Sequence, residues 1–456
     1  MSSKVAFHTL GCKLNYSETS TIGNQFLKNG FEIVDYNENA DVYVINTCTV
    51  TENADKECRQ IVRRALRKNP NAYVLVTGCY AQLKPEEIAS IEGVDAVLGS
   101  NEKFNLFSYI NSFEKKNISC IHVSETEELD SFYSAQSTDA DGRTRAFFKV
   151  QDGCDYKCSF CTIPLARGKS RSMNPAEVIQ QFTQLLAQGY KEIILTGVNV
   201  GDYFYSKNDN SLITPKVENV FQPDYDLYEL LKSMLMVEGE YRIRISSIEP
   251  NLLTDGIIDL TAADERLCNH FHIPLQSGSN NVLKLMQRRY KVEDYHNLIF
   301  KLTAKVKNVG IGVDVIVGFP GETESDFLET YNFLRDLPIS YLHVFTYSKR
   351  PNTKAIELSS EVDLTERRRR NNMLRILSEK KRQDFYRKMR GEKLKVLFED
   401  ENLGGFMKGF SSNYVRVKYP FSEKLLKQFA SVIIKEVDEN ICTVEILEND
   451  SLKKCE

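Results

Sequence analysis

The segment Asp152–Ile163 reads DGCDYKCSFCTI and gathers three thiols, Cys154, Cys158 and Cys161, separated by three and two residues. Three thiolates on one short loop suit a cubane iron–sulfur cluster in which each cysteine holds one corner. A cubane has four irons, so three protein ligands leave one iron open to a further ligand. A structural zinc site is the alternative, but no fourth Cys or His lies nearby and the spacing is poor for it.

A second set of thiols is scattered along the chain. Cys12, Cys48 and Cys79 match no short metal motif, yet each follows an apolar run: KVAFHTLG before Cys12, DVYVINT before Cys48 and AYVLVTG before Cys79. Parallel strands of one sheet end on a common edge, where α/β folds bind ligands. Three thiols at three such ends converge in space and can hold a second cubane, again with an open iron. Cys58, Cys120, Cys268, Cys442 and Cys455 have no such placement and read as structural or incidental, since free cysteine is commonly buried.

The elements that must position these thiols alternate in type. Strands are expected at Lys4–Leu10, Asp41–Asn46, Ala72–Thr77 and Ala96–Leu98, with helices at Tyr16–Lys28, about Asn53–Lys68 and Pro85–Ile91. Apolar β-branched runs alternating with helices imply a doubly wound parallel sheet. Residues 125–144 are acidic, Ser/Thr-rich and without periodicity, and read as a linker. Strands then recur at Ala146–Gln151, Glu192–Thr196, Arg242–Ser246, His270–Leu275, Gly312–Val317 and Tyr341–Tyr347, with an insertion over 202–225. Asn174-Pro175-Ala176-Glu177 is a helix start, a cap followed by proline at the first helical position. Six βα units imply an open, partial (β/α)6 barrel of the TIM type, whose first loop at the C-terminal mouth carries Cys154, Cys158 and Cys161. Residues 361–390 predict a basic amphipathic helix with Leu374, Leu377, Phe385 and Met389 on its apolar side. Short alternating strands over 391–450 predict a small all-β barrel. The whole is an α/β multidomain chain.

CxxxCxxC with an aromatic residue, Phe160, before the third cysteine resembles the radical S-adenosylmethionine signature. The resemblance implies that the open iron chelates the amino and carboxylate groups of S-adenosylmethionine, and that reduction yields a 5′-deoxyadenosyl radical. It places Phe160 near the adenine and Thr196-Gly197-Val198-Asn199 by the methionine amino group. Ser246, Ser247 and Glu249 would hold ribose or sulfonium-side polar groups, and Gly318-Phe319-Pro320 would line the adenine.

With the N-terminal cysteines included, the chain resembles the methylthiotransferases over nearly its whole length. That family joins an N-terminal cluster domain (1–124 here), a radical S-adenosylmethionine partial barrel (145–360) and a C-terminal TRAM barrel. The segment Thr9-Leu10-Gly11-Cys12-Lys13-Leu14-Asn15 is most similar to the branch that modifies N6-threonylcarbamoyladenosine at position 37 of tRNA, beside the anticodon. Arg167–Ser172, His272–Gly278 (with Gln276 as a cofactor contact) and Tyr347–Arg350 are further family-like segments. Two positions depart: Met173 stands where an arginine is frequent, and Asn352 replaces a usual glycine. The implied cofactors are two [4Fe–4S] clusters and S-adenosylmethionine. The implied division has Cys12, Cys48 and Cys79 hold a methylated sulfur, and Cys154, Cys158 and Cys161 the radical source. Two S-adenosylmethionine molecules are consumed, one as methyl donor. An adenine C2–H bond is strong and its carbon a poor nucleophile, which is why a radical cofactor is needed.

The net charge of −4 argues against a polyanion partner only when averaged. Over 366–395 there are 13 Lys and Arg against 4 Asp and Glu, a local excess of +9. Phosphate contacts are expected from Arg367–Arg370, Lys380–Arg382, Arg387, Lys388 and Arg390, with Tyr414 and Arg416 of the small barrel stacking on or pairing with RNA. Arg167, Arg288, Arg289 and Arg350 are weaker candidates for substrate contact. An anticodon loop suits such a surface because its bases can be splayed out.

A hydrophobic fraction of 42% with 27% charged residues excludes a dominantly disordered chain, and no apolar run is long enough to span a bilayer. A cytoplasmic monomer is expected, served by an electron donor such as flavodoxin or ferredoxin and by a sulfur source. The competing readings are methylthiolation of N6-isopentenyladenosine in tRNA, of a ribosomal-protein aspartate, and a non-catalytic iron–sulfur RNA-binding regulator.

Overall fold

The computed structural model describes residues 2–49, 52–137, 143–206 and 224–447. Its N-terminal sheet is wholly parallel. From edge to edge the strands are Glu32–Val34, Lys4–Thr9, Val42–Thr47, Tyr73–Gly78, Ala96–Leu98 and Cys120–His122. The winding reverses between Lys4–Thr9 and Val42–Thr47, the kind of switch point where open α/β sheets hold ligands. The two edge strands escape a sequence reading because each spans three residues and neither is uniformly apolar. The first helix, Lys13–Lys28, starts three residues earlier than its periodicity suggests, and a short helix, Cys79–Leu83, precedes Pro85–Ala89.

Six parallel strands then build the open barrel: Arg145–Lys149, Glu192–Thr196, Arg242–Ile245, His270–His272, Gly310–Val317 and Tyr341–Thr346. The third and fourth are joined only by isolated bridges, Ile243 to Leu267 and Ser247 to His272. Within 125–144, Ala135–Gln136 pairs antiparallel with the first barrel strand and extends that sheet. Phe204–Ser206 and Asp224–Asp226 pair across the insertion, whose residues 207–223 lie outside the described ones. Asn174 caps its helix as expected, its side chain accepting from the Ala176 N–H at 2.9 Å.

The basic helix is a single element, Leu364–Lys388. Leu374 and Leu377 join the barrel core, and the Ser378 hydroxyl both accepts from Leu342 N–H and donates to Leu342 C=O, which clamps the helix to the last barrel strand. The C-terminal barrel closes with five strands, Lys393–Phe398, Phe406–Ser411, Arg416–Pro420, Phe429–Asp438 and Ile441–Ile446. Phe406–Ser411 was not legible as a strand because glycines flank and interrupt it; a Cβ on Gly409 would lie 2.6 Å from the Leu397 carbonyl oxygen.

This small barrel seats against the N-terminal end of the large one. Arg242 and Arg244 share Glu192 and donate to the carbonyls of Phe410, Ser411 and Ser412. A Cβ on Gly310 would lie 2.2 Å from the Asn413 carbonyl oxygen, so the turn that carries Tyr414 enters where only glycine leaves room. The other end of the large barrel remains to face the N-terminal sheet.

Candidate functional site

Local backbone geometry explains how each scattered thiol is presented. Gly11 adopts φ +98°, and a Cβ there would lie 2.7 Å from Cys48 Cβ, so the Lys4–Thr9 and Val42–Thr47 strand ends meet at a glycine. Gly78 has φ +99° and would place a Cβ 2.3 Å from the Thr47 carbonyl oxygen. Only glycine takes that conformation at that separation. Cys79 follows as the first residue of its helix, and Cys12 is the residue before the Lys13–Lys28 helix.

Arg167 ties these strand ends to the barrel. It is 2% exposed and lies six residues beyond Cys161, at the end of the helix Ile163–Arg167. Its Nε donates to Cys79 Sγ at 3.3 Å, its Nη1 to Glu18 Oε1 at 2.8 Å and Asp152 Oδ1 at 3.1 Å, and its Nη2 to Asn15 Oδ1 at 2.8 Å. Glu18 is also paired with Lys103 and Lys149, and Asp152 with Lys149 and Arg171. Burial opposes the ionised forms of Glu18 and Asp152, but the surrounding arginines and lysines win and hold both carboxyls well below the usual range. Sequence reasoning missed Glu18, Lys103, Lys149 and Asp152. Their signal is a set of charges on otherwise apolar strand and helix faces.

The loop of Cys154, Cys158 and Cys161 has its own arginine. Arg288 Nη1 donates to Cys158 Sγ at 3.1 Å while Nη2 pairs with Glu249. Burial pushes the Cys154 and Cys161 thiols up to about 12, so they leave the protonated form only for a cation that binds them. Nearby polar atoms are left over. Asn199 is buried, and neither its amide oxygen nor its amide nitrogen has a hydrogen-bond partner among the described residues; the same holds for Thr196 Oγ1 and Gln276 Oε1. Buried polar groups rarely stay unpaired in a native protein, so this mouth suits a polar ligand such as S-adenosylmethionine. Gln276 sits at φ +69° and Gly318 at φ +73°. Phe319 is fully buried with its ring 6.3 Å from that of Phe160, and Gly197 packs on Gln151. Ser246 is buried, Ser247 half-buried, and Pro320 buried behind Phe319.

Several expected RNA contacts sit elsewhere. Arg167 and Arg288 are enclosed by the groups just described, so neither is free for a substrate phosphate. Arg350 is buried. Arg289 is exposed and lies over the Tyr156 ring at 3.8 Å. Tyr414 adopts φ +70° and stacks between His270 at 4.6 Å and Phe410 at 4.8 Å, which takes both ring faces away from a base. Arg416 lies over Phe410 at 5.1 Å and is 39% exposed on its side chain. Of Arg367–Arg370, Arg367 and Arg370 are buried, and Arg369 pairs with Glu324 and Glu366. Arg370 meets Glu322, Glu324 and Glu366. Lys381 donates to the carbonyls of Arg335 and Leu337. Lys380, Lys388 and Arg390 are exposed, and Arg387 pairs with Asp384. Arg368 and Arg382, joined by Arg375, which was not among the expected contacts, form a stripe at seven-residue spacing that lines an open groove of 1380 Å³ beside the last barrel strand. Periodicity alone cannot tell such a stripe from the arginines that face the body of the protein. Asn352 has φ +62°, which explains why glycine suits that position and why asparagine replaces it.

A partial (β/α)6 barrel with CxxxCxxC on its first loop defines a radical S-adenosylmethionine enzyme, and residues 148–334 match the Radical SAM superfamily. Residues 4–99 match the uncharacterized protein family UPF0004. The threonylcarbamoyladenosine tRNA methylthiotransferase MtaB of Bacillus subtilis is 40% identical over 94% of this chain and 93% of its own. The Aquifex aeolicus enzyme of the same name is 39% identical over 91% and 96%. A tRNA-2-methylthio-N(6)-dimethylallyladenosine synthase of Clostridium botulinum is 34% identical over 80% and 79%. Among solved structures, the radical S-adenosylmethionine methyltransferase TsrM of Kitasatospora setae shares the fold, with a TM-score of 0.54 at 15% identity over 78% of this chain and 77% of that one. The chain belongs to the radical S-adenosylmethionine tRNA methylthiotransferases. Its cofactors are accordingly S-adenosylmethionine and [4Fe–4S] clusters, two in this family. Among the described residues, no helix is long and apolar enough to cross a membrane.

Proposed function

We propose that this enzyme methylthiolates C2 of N6-threonylcarbamoyladenosine at position 37 of tRNA, consuming one S-adenosylmethionine as methyl donor and a second as radical source. The observation that carries the reading is the Arg167 link. One side chain from the loop region of Cys154, Cys158 and Cys161 donates to the sulfur of Cys79 on the opposite domain, so two thiol sites address one space. When bound there, S-adenosylmethionine and the cluster held by Cys154, Cys158 and Cys161 would supply hydrogen-atom abstraction on one side, and the cluster held by Cys12, Cys48 and Cys79 would supply the methylthio group on the other. Cys154, Cys158 and Cys161 hold the radical-forming cluster, and Cys12, Cys48 and Cys79 hold the sulfur-carrying one. Asn199, Gln276 and the Gly318-Phe319-Pro320 turn orient S-adenosylmethionine, and Glu249 keeps Arg288 on Cys158. Arg368, Arg375 and Arg382 guide the anticodon stem-loop along the open side of the barrel. A monomer in the cytoplasm, reduced by a flavodoxin or ferredoxin and supplied with sulfide or a persulfide, completes the scheme.

The Bacillus subtilis and Aquifex aeolicus relatives named for this substrate are 39–40% identical, against 34% for the Clostridium botulinum dimethylallyladenosine synthase, which supports this substrate over isopentenylated adenosine. Nucleoside mass spectrometry tests the reading directly, on tRNA incubated with the anaerobically reconstituted protein. The 2-methylthio derivative of N6-threonylcarbamoyladenosine is expected. The isopentenyl derivative instead would reassign the substrate, and no modified nucleoside at all would reopen a protein substrate.

A further inference from the structure

Side chains of the last barrel strand, Tyr341–Thr346, alternate between two faces. Leu342 and Val344 turn to the core shared with Leu374 and Leu377 of the basic helix. Tyr341, His343 and Phe345 turn the other way, into the barrel interior, where the Tyr341 ring lies 6.1 Å from His270 and the His343 ring 5.2 Å from His272. Phe345 is the register partner of Ile316, whose N–H donates to the Gln276 carbonyl at 2.9 Å. Ile316 and Phe160 both pack on the cluster that contains Phe319. Phe345 therefore stands level with the mouth where Gln276 leaves a polar atom unpaired, about 6.6 Å along the strand from His343.

Tyr414 has both ring faces covered, but Phe345 does not. It is 44% exposed, and among the described residues no ring or cation lies against it. It borders the open groove of 1380 Å³ that Arg368, Arg375 and Arg382 also line. Arg382 joins that groove to the barrel interior, its guanidinium lying 5.8 Å from the centre of the Tyr341 ring. Of the lining carboxylates, Glu361 pairs with Lys349 and Asp363 caps the basic helix, which leaves Glu379 against three arginines. Seven helical residues rise about 10.5 Å, so the stripe runs about 21 Å, long enough to follow a loop backbone past several phosphates. Cations that track phosphates beside a bare ring that accepts a base are the elements with which proteins hold single-stranded nucleic acid.

We propose that Phe345 is the platform on which the target adenine stacks once it has left the anticodon loop, and that the base enters between the last barrel strand and the basic helix. This rests on the substrate assignment above and adds to it the route and the contact. Stacked on Phe345, the base lies level with Gln276 while the loop backbone stays on the arginine stripe. One rung further in, the His272–Asp314 pair at 2.6 Å and the His343 ring offer hydrogen-bonding groups to the base edge. Every base has a π-face, so the ring sets the height and tilt of the adenine and does not choose its N6 substituent.

The test uses the reconstituted full-length enzyme and two anticodon stem-loops, one with N6-threonylcarbamoyladenosine at position 37 and one with an abasic sugar there. Wild-type protein should bind the first about tenfold more tightly, the size of one base–aromatic stack. Phe345→Ala should lower that ratio to about twofold or less and leave affinity for the abasic stem-loop unchanged. It should also form 5′-deoxyadenosine in excess over methylthio product, because a misplaced base no longer yields its hydrogen. Phe345→Tyr should keep the ratio, and Phe345→Leu, apolar but without a π-face, should lose most of it. An undiminished ratio in the Ala and Leu variants, with wild-type iron content, overturns the proposal while the substrate assignment stands. Equal loss of affinity for both stem-loops overturns it too, since the side chain would then shape the groove and hold no base. If nucleoside analysis yields the isopentenyl product instead, the substrate assignment falls, and the same ratio measured on an isopentenylated stem-loop upholds or overturns the platform.

Discussion

The two cysteine sites solve one chemical problem by opposite routes. Cys154, Cys158 and Cys161 occupy eight residues of a single loop, while Cys12, Cys48 and Cys79 come from three strand ends spread over 68 residues. Each site places one arginine on one sulfur, Arg288 on Cys158 and Arg167 on Cys79. The arginines differ in company. Arg288 answers to a single carboxylate, Glu249, whereas Arg167 sits in a buried lattice of Glu18, Asp152, Lys103 and Lys149 that spans two domains. A loop carries its own geometry. A site assembled from three strands depends on the contacts that hold the sheet against the barrel.

The largest effect that tests this contrast comes from the thiols themselves. Reconstituted wild-type protein should hold about eight irons per chain, four per cubane. Cys158→Ala should retain about four and form no 5′-deoxyadenosine. Cys48→Ala should also retain about four, still form 5′-deoxyadenosine, and make no methylthio nucleoside. Equal loss of both products in both variants would erase the division of roles.

Next come the arginines. Arg167→Met leaves Glu18 and Asp152 buried with fewer partners, and removing one member of such a set costs about 3–5 kcal/mol. A fall in the denaturation midpoint and loss of the N-terminal cluster's iron are expected together. Arg288→Met should leave the midpoint nearer to wild type and act on the iron of the barrel site. If both variants lose the same iron, the two sites are not separable in the way their geometry suggests.

The same lattice sets an acid limit. Glu18 and Asp152 are held below their ordinary values, so the stability they contribute is complete above the unfolded carboxyl range, about pH 4–5, and is lost as pH falls through and below it. Denaturation of the wild-type protein should steepen there, and Arg167→Met should show a shallower acid slope. Identical slopes would mean that the lattice does not couple the domains.

The smallest effect lies outside both sites. Arg375→Glu should weaken stem-loop binding and lower the salt slope by about 0.7–0.9, one phosphate contact, with iron and 5′-deoxyadenosine unchanged. Arg370→Glu should instead lower stability, since Arg370 is buried against Glu322 and Glu366. A reversed outcome would exchange the two faces of that helix.

Much of this was legible in the chain itself. Local spacing is enough for CxxxCxxC, because a loop of eight residues cannot separate its own thiols far. Alternating apolar runs reveal the six barrel strands, and glycine followed by cysteine at strand ends points to Cys12 and Cys79. Short edge strands such as Glu32–Val34 were not legible, since three residues carry no periodicity, nor was the inward turn of Tyr414, which depends on a second domain.

The sequence by itself determined the kinds of chemistry present: two sets of thiols, a signature loop and a basic helix. Only the tertiary structure decided which charges are free to act. Arg167, Arg288 and Arg370 read as surface cations until their carboxylate and sulfur partners come into view, and Arg367 until the carbonyls of Val362 and Tyr347 do. The physical reason is that a charge's role depends on what surrounds it within a few ångströms, and in this fold those neighbours come from residues as far apart in sequence as Glu18 and Arg167.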